Sequence, residues 1–171
     1  MTLERRIAGA FALDDETWLR HANPWSVALR NTVLPILILA FWSRLWLGWY
    51  ALIPVALALL WTWYNPRIFP APRSFNSWAS KAVFGERIWL NRDTVPVPVH
   101  HRTAPNILSA ISGIGMLFIF WGVIFFDLWP TVLGMALVYS GKLWFLDRMA
   151  WLWEDMHDAT DEYRSWAGRR G

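Results

Sequence analysis

The sequence contains no cysteine. That excludes disulfides, thiolate metal sites, iron–sulfur clusters and cysteine nucleophiles. Charge is scarce too: Asp, Glu, Lys and Arg make up 17% of the 171 residues, against about 25% in a soluble domain. Only four histidines are present, and none lies inside a long apolar run. A haem held between membrane helices by histidine is therefore excluded, and the His-rich boxes of membrane di-iron desaturases and hydroxylases cannot be assembled. The opening stretch MTLERRIAGAFALDDETW lacks a sustained apolar core before its acidic run, so no cleavable signal peptide is expected. A formal net charge of +3 is too mild to point to nucleic acid.

What remains is strongly apolar. Hydrophobic residues make up 56% of the chain, and 15 residues are Trp. Tryptophan has an apolar ring and one N–H donor, which suits the lipid–water boundary. A membrane span needs about 20 apolar residues. Residues 25–43, 45–64, 106–128 and 131–152 supply four such segments. The first two are separated by Arg44 alone and read as a tight helical hairpin. A buried hairpin of a soluble protein is the alternative, but these runs are apolar all round and lack amphipathic spacing.

Four spans leave residues 1–24, the 65–105 loop and residues 153–171 on one side of the membrane. Arg5, Arg6, Arg20 and Arg30 lie in or near the first piece. Arg67, Arg73, Lys81, Arg87, Arg92 and Arg102 lie in the loop, and Arg148, Arg164, Arg169 and Arg170 near the end. The opposite turns carry Arg44 beside Asp127. The positive-inside rule puts both termini and the loop in the cytoplasm of a plasma (inner) membrane. The expected fold is an all-α integral membrane protein: a four-transmembrane-helix bundle with a cytoplasmic interfacial helix and a protruding C-terminal helix. The whole chain forms one membrane domain.

Finer features follow from local chemistry. Asp14 or Asp15 starts a short helix, Asn23 caps the next one, and Pro24 occupies its first turn. Ser109 with Gly113, and Ala136 with Ser140, are small residues four apart that let the last two spans approach closely. Pro35 and Pro54 are expected to bend the first two spans at mid-depth, where neighbouring helices must satisfy the freed carbonyls. Residues 74–90 place Phe75, Trp78, Ala82 and Trp89 on one helical face, although Phe84 and Ile88 spoil the pattern. They read as a helix lying on the membrane surface or as one packed under the bundle. Asp161 and Arg164 can pair at three residues.

The candidate site residues lie on the cytoplasmic rim: His21, Asn23, His100, His101, Asp147 and Asp155. Half of such groups can be explained as helix caps and mutual neutralisation. Three sharper readings compete. A metal held by His21, His100, His101, Glu154 and His157 is one, since imidazole with carboxylate suits zinc, iron or manganese. A headgroup or anion pocket of Arg67, Arg92, Arg102 and Arg148 is the second, because guanidinium forks fit phosphate. The third is an accessory subunit whose Trp-rich spans dock on a larger membrane complex or on a second copy. Lys142 is costly inside a span, and its partner would be Asp147, or Asp127 if the side chain snorkels to the far surface. The prolines around VPVPVHHRTAPN keep residues 100–102 extended. Arg102 should meet a carboxylate or phosphate. One histidine should face Asp147 or Asp155 and the other water, because neighbours in an extended segment point apart.

The pieces HANPWS, NPRIFP, FGERIWLNR, VPVHHR and LDRMAWLWEDM together resemble a family of small, functionally uncharacterised prokaryotic membrane proteins of four spans. The resemblance covers residues 14–156. It implies a free-standing membrane protein and brings no activity with it. The expected function is non-catalytic: binding lipid headgroups or a membrane-protein partner through the rim and the Trp-rich spans. The alternative is a metal- or His-dependent enzyme acting on a membrane-embedded, lipid-like substrate.

Overall fold

The computed structural model describes residues 15–72 and 74–168. Arg5, Arg6, Asp14, Arg73, Arg169 and Arg170 lie outside them. All regular structure among the described residues is helical: α1 (Asp15–His21), α2 (Pro24–Asn31), α3 (Val33–Trp42), α4 (Arg44–Leu47), a 3₁₀ turn (Gly48–Ala51), α5 (Leu52–Ile68), α6 (Trp78–Leu90), α7 (Thr103–Phe125), α8 (Leu128–Met156) and α9 (Asp161–Gly168).

Local chemistry sets the joints. The Asn23 side chain accepts from the Trp25 amide at 2.9 Å, and Pro24 fills the first helical position of α2. Helix α2 pauses at Thr32, whose hydroxyl donates to the Leu29 carbonyl at 2.7 Å. Pro35 then stands in the first turn of α3 and Pro54 in the first turn of α5, where a missing N–H costs least. The predicted mid-depth bends are thus displaced to helix starts. The carbonyl that Pro35 frees, that of Asn31, accepts from the Tyr139 hydroxyl of α8.

Helices α3 and α5 fold back on each other through Gly48, whose φ of 53° is the left-handed region that a side chain would strain. At the tip, the Arg44 guanidinium donates to the carbonyls of Val123 at 2.5 Å and Ile124 at 2.7 Å. It also lies over the Phe126 ring, 4.1 Å from its centroid. These carbonyls end α7 and have no helical donor of their own, so Arg44 ties the hairpin tip to the α7–α8 turn. At the hairpin base, the buried Ser26 hydroxyl donates to Asn65 Oδ1 at 2.7 Å, and Asn23 Nδ2 donates to the Pro70 carbonyl at 2.9 Å.

Helices α7 and α8 pack along glycines. A Cβ on Gly115 would lie 2.8 Å from the Gly134 carbonyl, one on Gly134 2.6 Å from the Gly115 carbonyl, and one on Gly141 2.7 Å from that of Leu108. This seam replaces the expected pairs. Ser109, Gly113, Ala136 and Ser140 are exposed, and nothing lies within 4 Å of a Cβ on Gly113. Ile38, Ile119, Val123 and Val138 fill the space between α3, α7 and α8.

The outer surface of these helices is apolar. Leu39, Leu57, Leu117 and Phe125 are each more than 60% exposed, and Trp49 at the hairpin tip is 88% exposed. Two segments, Pro24–Asn65 and Val99–Phe125, are long and apolar enough to cross a membrane. The first is doubled back at Gly48. Helix α8 does not meet that measure; Lys142, the glycines and the tryptophans dilute its aliphatic residues.

At the other end of the molecule the arrangement inverts, with apolar side chains inside. Trp18 and Ala22 of α1, Val83, Phe84, Ile88 and Trp89 of α6, Met149, Leu152 and Trp153 of α8, and Tyr163 and Trp166 of α9 share one core. We call this part the head. It corrects two expectations. Helix α6 does not lie on a surface, because Ala82, Val83, Phe84, Gly85, Ile88 and Trp89 are all buried. Its backbone touches α8 so closely that a Cβ on Gly85 would lie 1.8 Å from the Met149 carbonyl oxygen. The C-terminal helix does not protrude either. The chain leaves α8 at Met156 and returns α9 to the head, burying Tyr163 completely. The Asp161–Arg164 pair forms on its outer face.

Candidate functional site

Two polar centres flank the head. The first is built on the turn after VPVPV. Pro98 is extended (φ −55°, ψ 148°), but Val99–His101 closes into a single 3₁₀ turn, with the His101 amide on the Pro98 carbonyl at 3.0 Å. Both imidazoles therefore reach the same side. His101 Nε2 lies 2.8 Å from Asp155 Oδ2 and His100 Nε2 lies 3.1 Å from the same oxygen. The His101 side chain is 1% exposed, that of His100 68% and that of Asp155 43%. Hydrogen bonding to His101, then to His100, holds the Asp155 carboxyl below the usual carboxylate range. The expected division, one histidine on a carboxylate and one in water, fails because the segment turns instead of extending. Arg102 pairs with no carboxylate among the described residues; its Nε donates to the Val97 carbonyl at 3.0 Å.

The second centre lies where α2, α6 and α8 meet below the bundle. The Arg30 guanidinium donates to the ring of His21, 2.8 Å from Nδ1, and to the His21 carbonyl at 3.2 Å. Glu86 of α6 and Lys142 of α8 lie close enough for the charges of Arg30, Lys142 and Glu86 to act on one another, and for those of Arg30 and Lys142 to act on His21. No direct ion pair joins Glu86 to Arg30 or Lys142 among the described residues, and the three act on one another through space. Burial pushes the Glu86 carboxyl up, against the opposing pull of Arg30 and Lys142. Burial, with help from Arg30 and Lys142, holds His21 well below its ordinary value. A neutral imidazole then has a ring nitrogen free to accept the Arg30 proton. Lys142 pairs with neither Asp147 nor Asp127 among the described residues; the charges that act on it are those of Arg30 and Glu86.

The other expected site residues are distributed. Arg67 lies over the Trp63 ring (4.0 Å), Arg92 over Trp89 (4.3 Å) and Arg148 over Trp151 (4.8 Å), each a cation on an aromatic face of its own helix or turn. Asp147 accepts from Trp78 Nε1 at 3.1 Å. Glu154 pairs with Lys81. His157 Nε2 lies 3.2 Å from Asp158, and its Nδ1 3.0 Å from the Glu154 carbonyl. Of the proposed metal-binding set, the structure thus brings His100 and His101 together, with Asp155 added, and leaves His21, Glu154 and His157 elsewhere. Arg30 is the residue that sequence reasoning missed as a site group. The signal was present: Arg30 and Lys142 are two cations inside apolar runs, and Glu86 is a carboxylate inside another.

Fold and site together define an all-helical protein with two segments apolar enough to cross a membrane, and with charged groups gathered where bundle meets head. Residues 2–169 match DUF6653, a family of unknown function, and the chain belongs to it. No curated protein and no solved structure matches.

Proposed function

We propose that this is a four-pass integral membrane protein of the plasma (inner) membrane, with both termini cytoplasmic, that binds an anionic lipid headgroup without catalysis. The observation carrying this reading is the convergence of Arg30, Lys142 and Glu86 at the junction of bundle and head. Two cations against one carboxylate leave a positive surplus, and guanidinium with ammonium suits phosphate. The depth fits as well. Lys142 stands fourteen residues after Leu128, about 21 Å along a helix, in a hydrocarbon layer of about 30 Å. That places it in the head-side half, within reach of headgroups. In this reading the apolar outer faces of α2 with α3, of α5, of α7 and of α8 supply the four crossings, as two hairpins turned at Gly48 and at Asp127.

Native mass spectrometry of the detergent-purified protein tests this reading. The protein should retain phosphatidylglycerol in preference to phosphatidylcholine, and Arg30→Gln with Lys142→Gln should abolish that preference. Equal retention of both lipids by the unaltered protein overturns it. A stoichiometric protein partner in the same spectra would support the accessory-subunit alternative instead.

A further inference from the structure

We propose that His100, His101 and Asp155 form a binding site for one divalent transition metal of the zinc class. One ring nitrogen from each imidazole and one carboxylate oxygen lie within 4.8 Å of one another, and among the described residues they are the one such group of three. The two histidine–carboxylate separations, 2.8 and 3.1 Å, are near the spacing that a tetrahedral ion imposes. With metal–ligand bonds of about 2.0–2.1 Å, neighbouring ligands stand about 3.3 Å apart. Each histidine–carboxylate separation needs only a few tenths of an ångström of opening to admit the ion.

The surroundings favour this assignment over a plain hydrogen-bonded junction. Adjacent histidines normally diverge; the 3₁₀ turn that brings them together is held on one side by Pro98 and on the other by Thr103, the first residue of α7. Asp155 belongs to the long, rigid α8, and His101 is fixed edge-on to Trp151, 6.5 Å between centroids. One ligand is thus buried and immobile, while His100 and Asp155 open to water. Three protein ligands with an open side are the arrangement that takes an ion from solution and leaves it a water molecule. Two imidazoles with one carboxylate select zinc-class ions over magnesium or calcium, which prefer all-oxygen cages. The bound ion would tie the 91–102 segment to α8. This inference is independent of the headgroup reading, which uses different residues.

The test uses the full, untagged chain in detergent, stripped with chelator and titrated with zinc alone. Elemental analysis after buffer exchange should give one zinc per chain at pH 7.5, and cobalt in its place should give the visible absorption of a tetrahedral site. Affinity should fall at least tenfold in His100→Ala and in Asp155→Asn. His100 is exposed, so the first variant folds even if changes at buried His101 do not. Zinc retained equally by both variants, or no stoichiometric zinc in the unaltered chain, overturns the proposal.

Discussion

The Tyr139 hydroxyl donates to the main-chain carbonyl of Asn31, four residues before Pro35. Proline has no N–H to offer that carbonyl, so a side chain from α8 supplies the hydrogen bond that α3 cannot. Tyr139→Phe leaves the carbonyl unpaired and should cost about 1–2 kcal/mol. Pro35→Ala restores the main-chain donor, so Tyr139→Phe should cost much less in that background. Thermal unfolding of the four proteins in one detergent checks the cycle. Equal losses in both backgrounds would sink the compensation argument.

Glycines in the long helices are predicted to differ sharply. Gly85→Ala forces a methyl group 1.8 Å from the Met149 carbonyl oxygen, a main-chain atom that cannot step aside. It should cost about 3 kcal/mol or more, or prevent folding. Gly113→Ala meets nothing within 4 Å and should be neutral or stabilising by up to about 1 kcal/mol. Expression level and thermal midpoint, measured side by side, decide this.

Glu86 and Lys142 are coupled. Glu86→Gln leaves Arg30 and Lys142 facing each other without a carboxylate, at an expected cost of about 1–3 kcal/mol. Lys142→Met relieves that repulsion. The double variant should therefore be more stable than the sum of the single losses allows. Strict additivity in thermal melts would mean that the two residues do not interact.

His21 gives the head a dependence on acid. Its folded value lies well below 6.5, so below about pH 6.5 the unfolded chain binds a proton that the folded chain resists. Stability from this group is complete above that pH and declines as pH falls toward the folded value. Glu86 faces the same centre and works oppositely. Its raised folded value gives stability that is full below about pH 4.5 and declines as pH rises. His21→Gln should flatten the loss between pH 7 and pH 5, and in the Glu86→Gln background the His21 contribution should stand out more steeply. Unfolding midpoints across that range, with Arg30 and Lys142 kept intact, provide the measurement.

Topology follows from the four-pass reading. Reporters fused after Gly171 or inserted near Ser74 should report cytoplasm. Those inserted at Arg44 or Asp127 should report the opposite side. Inversion of either pair contradicts the arrangement.

The helical hairpin was legible in the sequence because its signals are local: an apolar run, an Asn-Pro start, a lone Arg at the tip. The head was not. Residues 74–90 gave no clean periodicity because α6 is buried on more than one face, with Val83, Phe84 and Ile88 as enclosed as Ala82 and Trp89. A helix enclosed on several sides has no polar stripe to reveal it. The glycine seam was missed for a related reason. Spacing of four identifies small residues, but only the relative rotation of α7 and α8 decides that Gly115, Gly134 and Gly141 meet while Gly113 points away. At the polar centres, sequence placed a histidine against Asp147 or Asp155; a turn of three residues brought both to Asp155. The carboxylate whose charge acts on Lys142 lies 56 positions earlier, at Glu86, a distance over which spacing carries no information.

The head core joins Trp18 and Ala22 to Tyr163 and Trp166, so its first and last contributors are separated by nearly the whole chain. During synthesis the α3–α5 and α7–α8 pairs can each close as they emerge, but the head must wait. Until α9 leaves the ribosome, Phe84 and Trp153 stand with one wall of their enclosure missing. Closure of the head is therefore a late event in folding, and before it the chain carries an apolar surface formed by α6 and α8.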